Sequence, residues 1–170
     1  MAEIETARLA LRPYGPGDVA ALHAIIGDPV TMRHYPWPFS EAEARAWVER
    51  SMQRWAEQRV GRMVVMLKET GEMVGDCGLV PTEIDGESAT DIAWIIDRRH
   101  WRRGYAREAA AALRDRWAAR GDLPPLRAHM AFDNTASRRT AEAIGLVFLR
   151  SYYYRRNRGI RHLVYGPPAA

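Results

Sequence analysis

DIAWIIDRRHWRRGYAREAAAALRDR, residues Asp91 to Arg116, is the stretch that decides how this chain folds. Its first seven residues set a run rich in Ile and Trp between two acids, the pattern of a buried strand. Further on, Ala109, Ala112, Leu113 and Trp117 fall near helical spacing with arginines elsewhere, which predicts an amphipathic helix. Between strand and helix lies Arg102-Arg103-Gly104-Tyr105-Ala106, a tight turn. A helix start leaves unpaired N–H groups pointing outward and carries partial positive charge. Gly104 lets a ligand approach the backbone and the arginines add charge, so the turn suits a diphosphate. A plain connector with solvated arginines fits the same residues equally well, and the neighbouring segments decide between the two.

A chain of 170 residues, 47% of them apolar, is read as one domain over 1–170 with a substantial core. No apolar run approaches membrane-spanning length. The N-terminal MAEIETARLALRP lacks a basic-then-apolar signal pattern, so the expectation is a cytoplasmic protein with no membrane partner. One cysteine, Cys77, excludes an internal disulfide and reads as buried packing in a strand-like run. The five histidines are scattered without metal-ligand spacing, so no metal is expected. Charge is uneven: residues 98–162 hold 16 Arg and 5 acids, so this segment carries +11 in a chain of net charge +4. Such asymmetry suggests nucleic acid. These arginines, however, follow the turn and the C-terminal strands and form no unbroken run. A polyanionic cofactor or a solvated surface accounts for them equally, and no nucleic-acid partner is expected.

Outside the central stretch, Arg8–Arg12 alternates as a short half-buried strand closed by Pro13, and Pro16–Ile26 reads as a helix ended by Gly27. The proline-broken aromatic loop VTMRHYPWPF follows. Ser40 and Glu43 form a capping-box pair opening a helix from Glu41 to about Gln58, which Gly61 ends. Arg62–Lys68 and Met73–Val80 read as paired strands, and Pro81–Glu87 as a polar turn. Leu126–Phe132 alternates as another strand, Ala136–Ile144 suits a short helix, and Leu146–Arg155 with Ile160–Tyr165 reads as a final antiparallel pair.

Four segments in this order, TARLALRPYGPGD, MRHYPWPFSEAEARAWVERS, HWRRGYAREA and NTASRRTAEAIGLVF, resemble the GNAT superfamily of N-acetyltransferases over nearly the whole chain. The resemblance is to the branch of ribosomal-protein N-terminal acetyltransferases (RimJ/RimL-like). One position departs: the superfamily's turn commonly opens with Gln or Arg three residues before its glycine, where this chain has Trp101.

The resemblance implies an α+β (mixed α/β) GNAT fold. A mostly antiparallel sheet of six to seven strands, splayed at its centre, would be flanked by about four helices. It implies acetyl-CoA as co-substrate, wedged between the Asp91 and Leu126 strands. The backbone of Trp94, Ile95 and Ile96 would pair with the acetyl carbonyl and pantetheine. The amides of Arg102, Arg103, Gly104, Tyr105, Ala106 and Arg107 would hold the pyrophosphate, and the Asn134 side chain the pantetheine arm. Ser137 would sit beside the sulfur.

The acceptor would be a small amine, an amino acid or a protein N-terminus, and a homodimer stays open. The attacking amine must be neutral, so a carboxylate or ordered water takes its proton; Asp91 is the first choice, against an ordinary strand-end acid. His100 and His129 read as surface or packing residues. Tyr35 and Trp37 would reach inward to wall the acceptor pocket. A non-catalytic acyl-CoA-binding module is the alternative reading.

Overall fold

The structure, a computed structural model, describes residues 3–169. Among them eight strands build one sheet: β1 (Ile4–Glu5), β2 (Leu9–Pro13), β3 (Arg62–Leu67), β4 (Met73–Ile84), β5 (Glu87–Ile96), β6 (Leu126–Ala131), β7 (Val147–Tyr154) and β8 (Ile160–Gly166), in the order β1-β2-β3-β4-β5-β6-β8-β7. Four helices flank it: α1 (Val19–Ile26), α2 (Glu41–Gln58), α3 (Tyr105–Arg120) and α4 (Thr135–Ala143). Every neighbouring pair is antiparallel except β5 and β6, so the fold is the expected α+β arrangement. The strand beyond the expected seven is β1, two residues paired to Leu11 and Ala10.

Strand alternation divides the core into two layers. Ile95 packs with Val64 against Leu22, Ile25 and Ile26 of α1 and Val48 of α2. Ile92 and Ile96 point the other way, where Ala109, Ala110 and Leu113 of α3 meet Leu126 and Met130. Small alanines on α3 let that helix sit close over the sheet.

The bounds of α2 follow from its cap. The Ser40 hydroxyl accepts the Glu43 N–H at 3.3 Å, and the Glu43 carboxylate accepts the Ser40 N–H at 2.8 Å. Its far end departs from expectation: Arg59, at φ 53°, takes the left-handed closing position assigned to Gly61. The Pro81–Glu87 turn is also corrected. β4 runs on to Ile84, and Asp85-Gly86, both left-handed at φ 54° and 79°, make a two-residue hairpin turn. Pro81 is tolerated inside the strand because of its register. Its partner Thr90 donates its N–H away from β4, to Pro125 O at 2.9 Å, so Pro81 and Thr90 form a non-hydrogen-bonded pair. The missing N–H of Pro81 therefore faces the side where β3 has already ended, opposite Gly78.

A buried ion pair ties the α1–α2 layer to the sheet. Asp76 on β4 is fully buried and pairs with Arg62 of β3, itself 8% exposed. Asp76 also accepts the Tyr14 hydroxyl at 2.6 Å and the Trp47 indole N–H at 3.1 Å. Removing the carboxylate strands a buried guanidinium, so Asp76→Ala is expected to cost about 3–5 kcal/mol, read as a lower urea midpoint with an unchanged slope.

Candidate active site

β5 and β6 pair only at Thr90–Leu126 and Asp91–Arg127, then diverge. Beyond Asp91 the β5 edge facing β6 loses its ladder. Because Thr90 donates toward β6 and Asp97 donates to Val74 of β4, alternation turns the Trp94 and Ile96 amides toward the gap and the Ile95 amide toward β4. The expected edge contacts are therefore narrowed: Ile95 is committed to the Asp76 pair. Trp101, where the superfamily's turn commonly has Gln or Arg, donates its indole N–H to Ile96 O at 2.7 Å and fixes the end of the open edge.

The turn after β5 has the backbone form and free amides that suit an anion. Arg102 and Gly104 are both left-handed, at φ 63° and 80°, a backbone form that gathers successive N–H groups into a concavity. None of the amides from Arg102 to Arg107 donates to an acceptor among the described residues. Arg102 and Arg103 are exposed beside them. A Cβ at Gly104 would meet only the Arg8 Nη2 atom, at 3.4 Å, so the approach is open. Arg8 is a neighbour the sequence did not single out. It donates to Arg103 O at 2.9 Å and to Glu108 at 2.7 Å, and stacks over Tyr105 at 4.7 Å. Six free amides, an alternating turn and an open strand edge fit the pyrophosphate and pantetheine of acetyl-CoA.

Asp91 stands at the apex of the gap, its side chain 17% exposed. Burial raises its carboxyl pKa above the usual carboxylate range, against the opposing pull of His129 and Arg62. Its Oδ1 is buried without a hydrogen-bond partner among the described residues. His129 Nε2 lies 3.8 Å from Asp91 Oδ2, and its Nδ1 is 2.8 Å from the Tyr152 hydroxyl and 3.3 Å from His162 Nδ1. His129 is thus no mere surface or packing residue. The sequence held one signal for it: on β6 it alternates onto the same face as Arg127, the partner of Asp91.

The aromatic loop spans the mouth of the gap. Thr31 accepts the Arg98 N–H at 3.2 Å, Arg33 stacks over Trp101 at 4.7 Å, and His34 O accepts the Asn157 amide at 2.9 Å. Tyr35 faces inward, half-buried, and burial pushes its phenol up to about 12 while nearby Arg62 opposes the rise. Trp37 corrects its expectation. It is 55% exposed and donates to Glu43 at 3.2 Å, because the capping turn of α2 draws its indole outward. Asn134 caps α4 by accepting the Ser137 N–H at 3.1 Å. This cap uses Asn134 Oδ1; its amide nitrogen and the Ser137 hydroxyl make no hydrogen bond among the described residues.

A forked sheet with a turn of free amides on one arm suits coenzyme A-dependent acyl transfer. Residues 8–147 match the acetyltransferase (GNAT) domain family, and the chain belongs to it. It is 31% identical over 150 residues to the uncharacterized protein YkkB of Bacillus subtilis strain 168, covering 88% of this chain and 87% of that one. It is also 31% identical over 140 residues to the uncharacterized N-acetyltransferase p20 of Bacillus licheniformis, covering 81% and 78%. Among solved structures, an acetyltransferase from Agrobacterium tumefaciens aligns with a TM-score of 0.79 at 28% identity over 98% of this chain and 94% of that one. The ribosomal α-N-protein acetyltransferase RimL in complex with coenzyme A shares the fold, with a TM-score of 0.80 at 20% identity over 97% and 96%. The protein is an acetyl-CoA-dependent acetyltransferase. No helix among the described residues is long and apolar enough to cross a membrane.

Gly104→Val puts a branched side chain at a left-handed φ and in the open approach to the six free amides. Calorimetry is expected to show acetyl-CoA affinity falling by tenfold or more, a loss of at least about 1.4 kcal/mol. Backbone strain should lower unfolding stability by about 1–3 kcal/mol, leaving a folded protein.

Proposed function

We propose that this protein transfers the acetyl group of acetyl-CoA to a primary amine by direct attack in a ternary complex, in the gap between β5 and β6. The observation that carries this reading is the fork, with free backbone groups on one arm and a buried, half-unpartnered carboxylate at its apex. On this reading the pyrophosphate lies on the amides of Arg102 to Arg107, and the pantetheine runs along Trp94 and Ile96 within reach of the Asn134 amide.

The amine enters from the opposite face, beneath Tyr35. Asp91, whose carboxyl burial holds above its ordinary pKa, takes the proton as nitrogen attacks the acetyl carbon. An amide turned into the gap stabilises the developing oxyanion. As the carbon–sulfur bond breaks, the Ser137 hydroxyl passes a proton to the thiolate and regains one from solvent. The amine proton leaves through Asp91.

Peptide α-amines are the first acceptors to test, because RimL, which shares the fold, is named for that chemistry. Amino acids and small amines follow. A cytoplasmic location accords with such acceptors.

Thiol release from acetyl-CoA against N-terminal peptides, amino acids and polyamines tests the reading; no release with any of them overturns it. With a reactive acceptor, Asp91→Asn should lower kcat by about a hundredfold or more, the range general-base removal gives. In the parent, activity should fall as pH drops through the Asp91 pKa, at a higher pH than an ordinary carboxylate would give, because the neutral acid accepts no proton. Ser137→Ala should reduce kcat more than acetyl-CoA affinity, since its hydroxyl acts on a group that appears only as the bond breaks. A variant that melts earlier at unchanged turnover would restrict Ser137 to the first turn of α4.

A further inference from the structure

Behind Asp91 lies a chain of polar groups whose hydrogen positions follow from elimination. Asn157, in the β7–β8 turn, is 3% exposed. Its amide nitrogen is 2.9 Å from His34 O and 3.0 Å from His162 Nε2. A carbonyl only accepts, so the NH2 end of Asn157 faces both groups, and His162 Nε2 accepts. A neutral imidazole with an accepting Nε2 carries its proton on Nδ1. That proton points at His129 Nδ1, 3.3 Å away, so His129 Nδ1 accepts as well. The Tyr152 hydroxyl, 2.8 Å from the same nitrogen, donates to it too, so the two donors share its one lone pair. His129 must then carry its proton on Nε2, the nitrogen 3.8 Å from Asp91 Oδ2. That separation exceeds a hydrogen bond, and such contacts tighten when substrate binds.

We propose that Asn157, His162 and His129 form a one-way hydrogen-bond relay that presents the His129 Nε2–H to Asp91 and couples the proton acceptor to the loop over the cleft. It rests on the reading of Asp91 as that acceptor. The three are positioning residues. His129 Nδ1 already has two donors and its Nε2 is protonated, so His129 takes no proton from the amine; its N–H favours the ionised form of Asp91. His162 is suited to stay neutral, since burial, the largest cause, depresses its pKa to about 4. The charged and titratable groups around the pair are Arg62 of β3, Tyr35 of the loop, Tyr152 and Tyr154 of β7, and Asp133 after β6. Of these, Arg62 pulls the Asp91 pKa down, and Asp133 pulls that of His162 up. Through His34 O the relay reaches the segment that carries Tyr35, so loop placement and proton acceptance are linked.

The tautomers can be read without substrate. Long-range 15N–1H correlation spectra of histidine-labelled protein are expected to show His162 protonated on Nδ1, the minor form in water, and His129 on Nε2. Asn157→Asp replaces the donor with an acceptor and should move the His162 proton to Nε2. A parent His162 protonated on Nε2, or an Asn157→Asp protein with unchanged tautomers, overturns the relay.

Kinetics with acetyl-CoA and the fastest-reacting amine of the panel give the second arm. His162→Leu should lower kcat about tenfold, leave the KM for acetyl-CoA unchanged, and move the acidic limb of the pH profile upward, because a carboxylate that loses a donor holds its proton more tightly. His162→Asn, whose amide can stand in for the Nδ1 donor, should recover most of the rate. In an Asp91→Asn background His162→Leu should have no further effect. An equal loss in both backgrounds, or an unmoved limb, overturns the relay. An Asp91→Asn enzyme with parental activity instead overturns the reading of Asp91, a result distinct from the tautomer arm.

Discussion

The arrangement depends on one interruption: parallel pairing between β5 and β6 stops two residue pairs after it begins. Backbone donors and acceptors inside a protein must find partners, and a sheet usually supplies them from the next strand. Here the next strand has turned away, and the Trp94 and Ile96 edge is left to meet something else. Neighbouring features serve that opening. Trp101 closes its far end, the α3 turn sets free amides beside it, and Asp91 occupies the last paired position before the strands part.

Two kinds of electrostatics work side by side in the molecule. Around the α3 turn the charges are exposed and cationic, suited to attracting an anion and sensitive to salt. On the opposite face they are buried and paired. Arg62 and Asp76 neutralise one another while Tyr14 and Trp47 both donate to Asp76 Oδ2, and Asp91 lies close enough to feel Arg62. The arginine-rich composition of residues 98–162 is therefore divided by the fold: Arg102 and Arg103 crowd the turn, while Arg150 pairs with Asp85 and Glu87 far from it.

Local signals in the sequence carried much of this fold. The Ser40–Glu43 pair placed the start of α2, and Ile-rich spacing between Asp91 and Asp97 located the central strand, because caps and alternation act over a few residues. Pro81 reads as a turn residue in the sequence, whereas its tolerance in β4 depends on which neighbour is absent, a property of the sheet rather than of the chain. Composition and the family resemblance point Trp37 inward, whereas the cap beside it decides the indole's direction. Alternation places His129 on one face of β6, but nothing local pairs it with His162, since the two meet only where β8 inserts between β6 and β7. Asn157 and His34 are 123 residues apart and joined by one amide.

Cys77 bears on what happens after the thioester is spent. Each acetyl transfer leaves a free thiol at the protein, and free thiols form mixed disulfides with accessible cysteines under oxidising conditions. The one cysteine of this chain lies fully buried on β4 at the base of the core, where burial lifts its thiol to about 12. Little thiolate exists there at neutral pH, and what exists has no path to a sulfur outside. The folded protein is therefore redox-silent toward its own by-product: oxidation can dimerise the released coenzyme but leaves no covalent trap in the cleft.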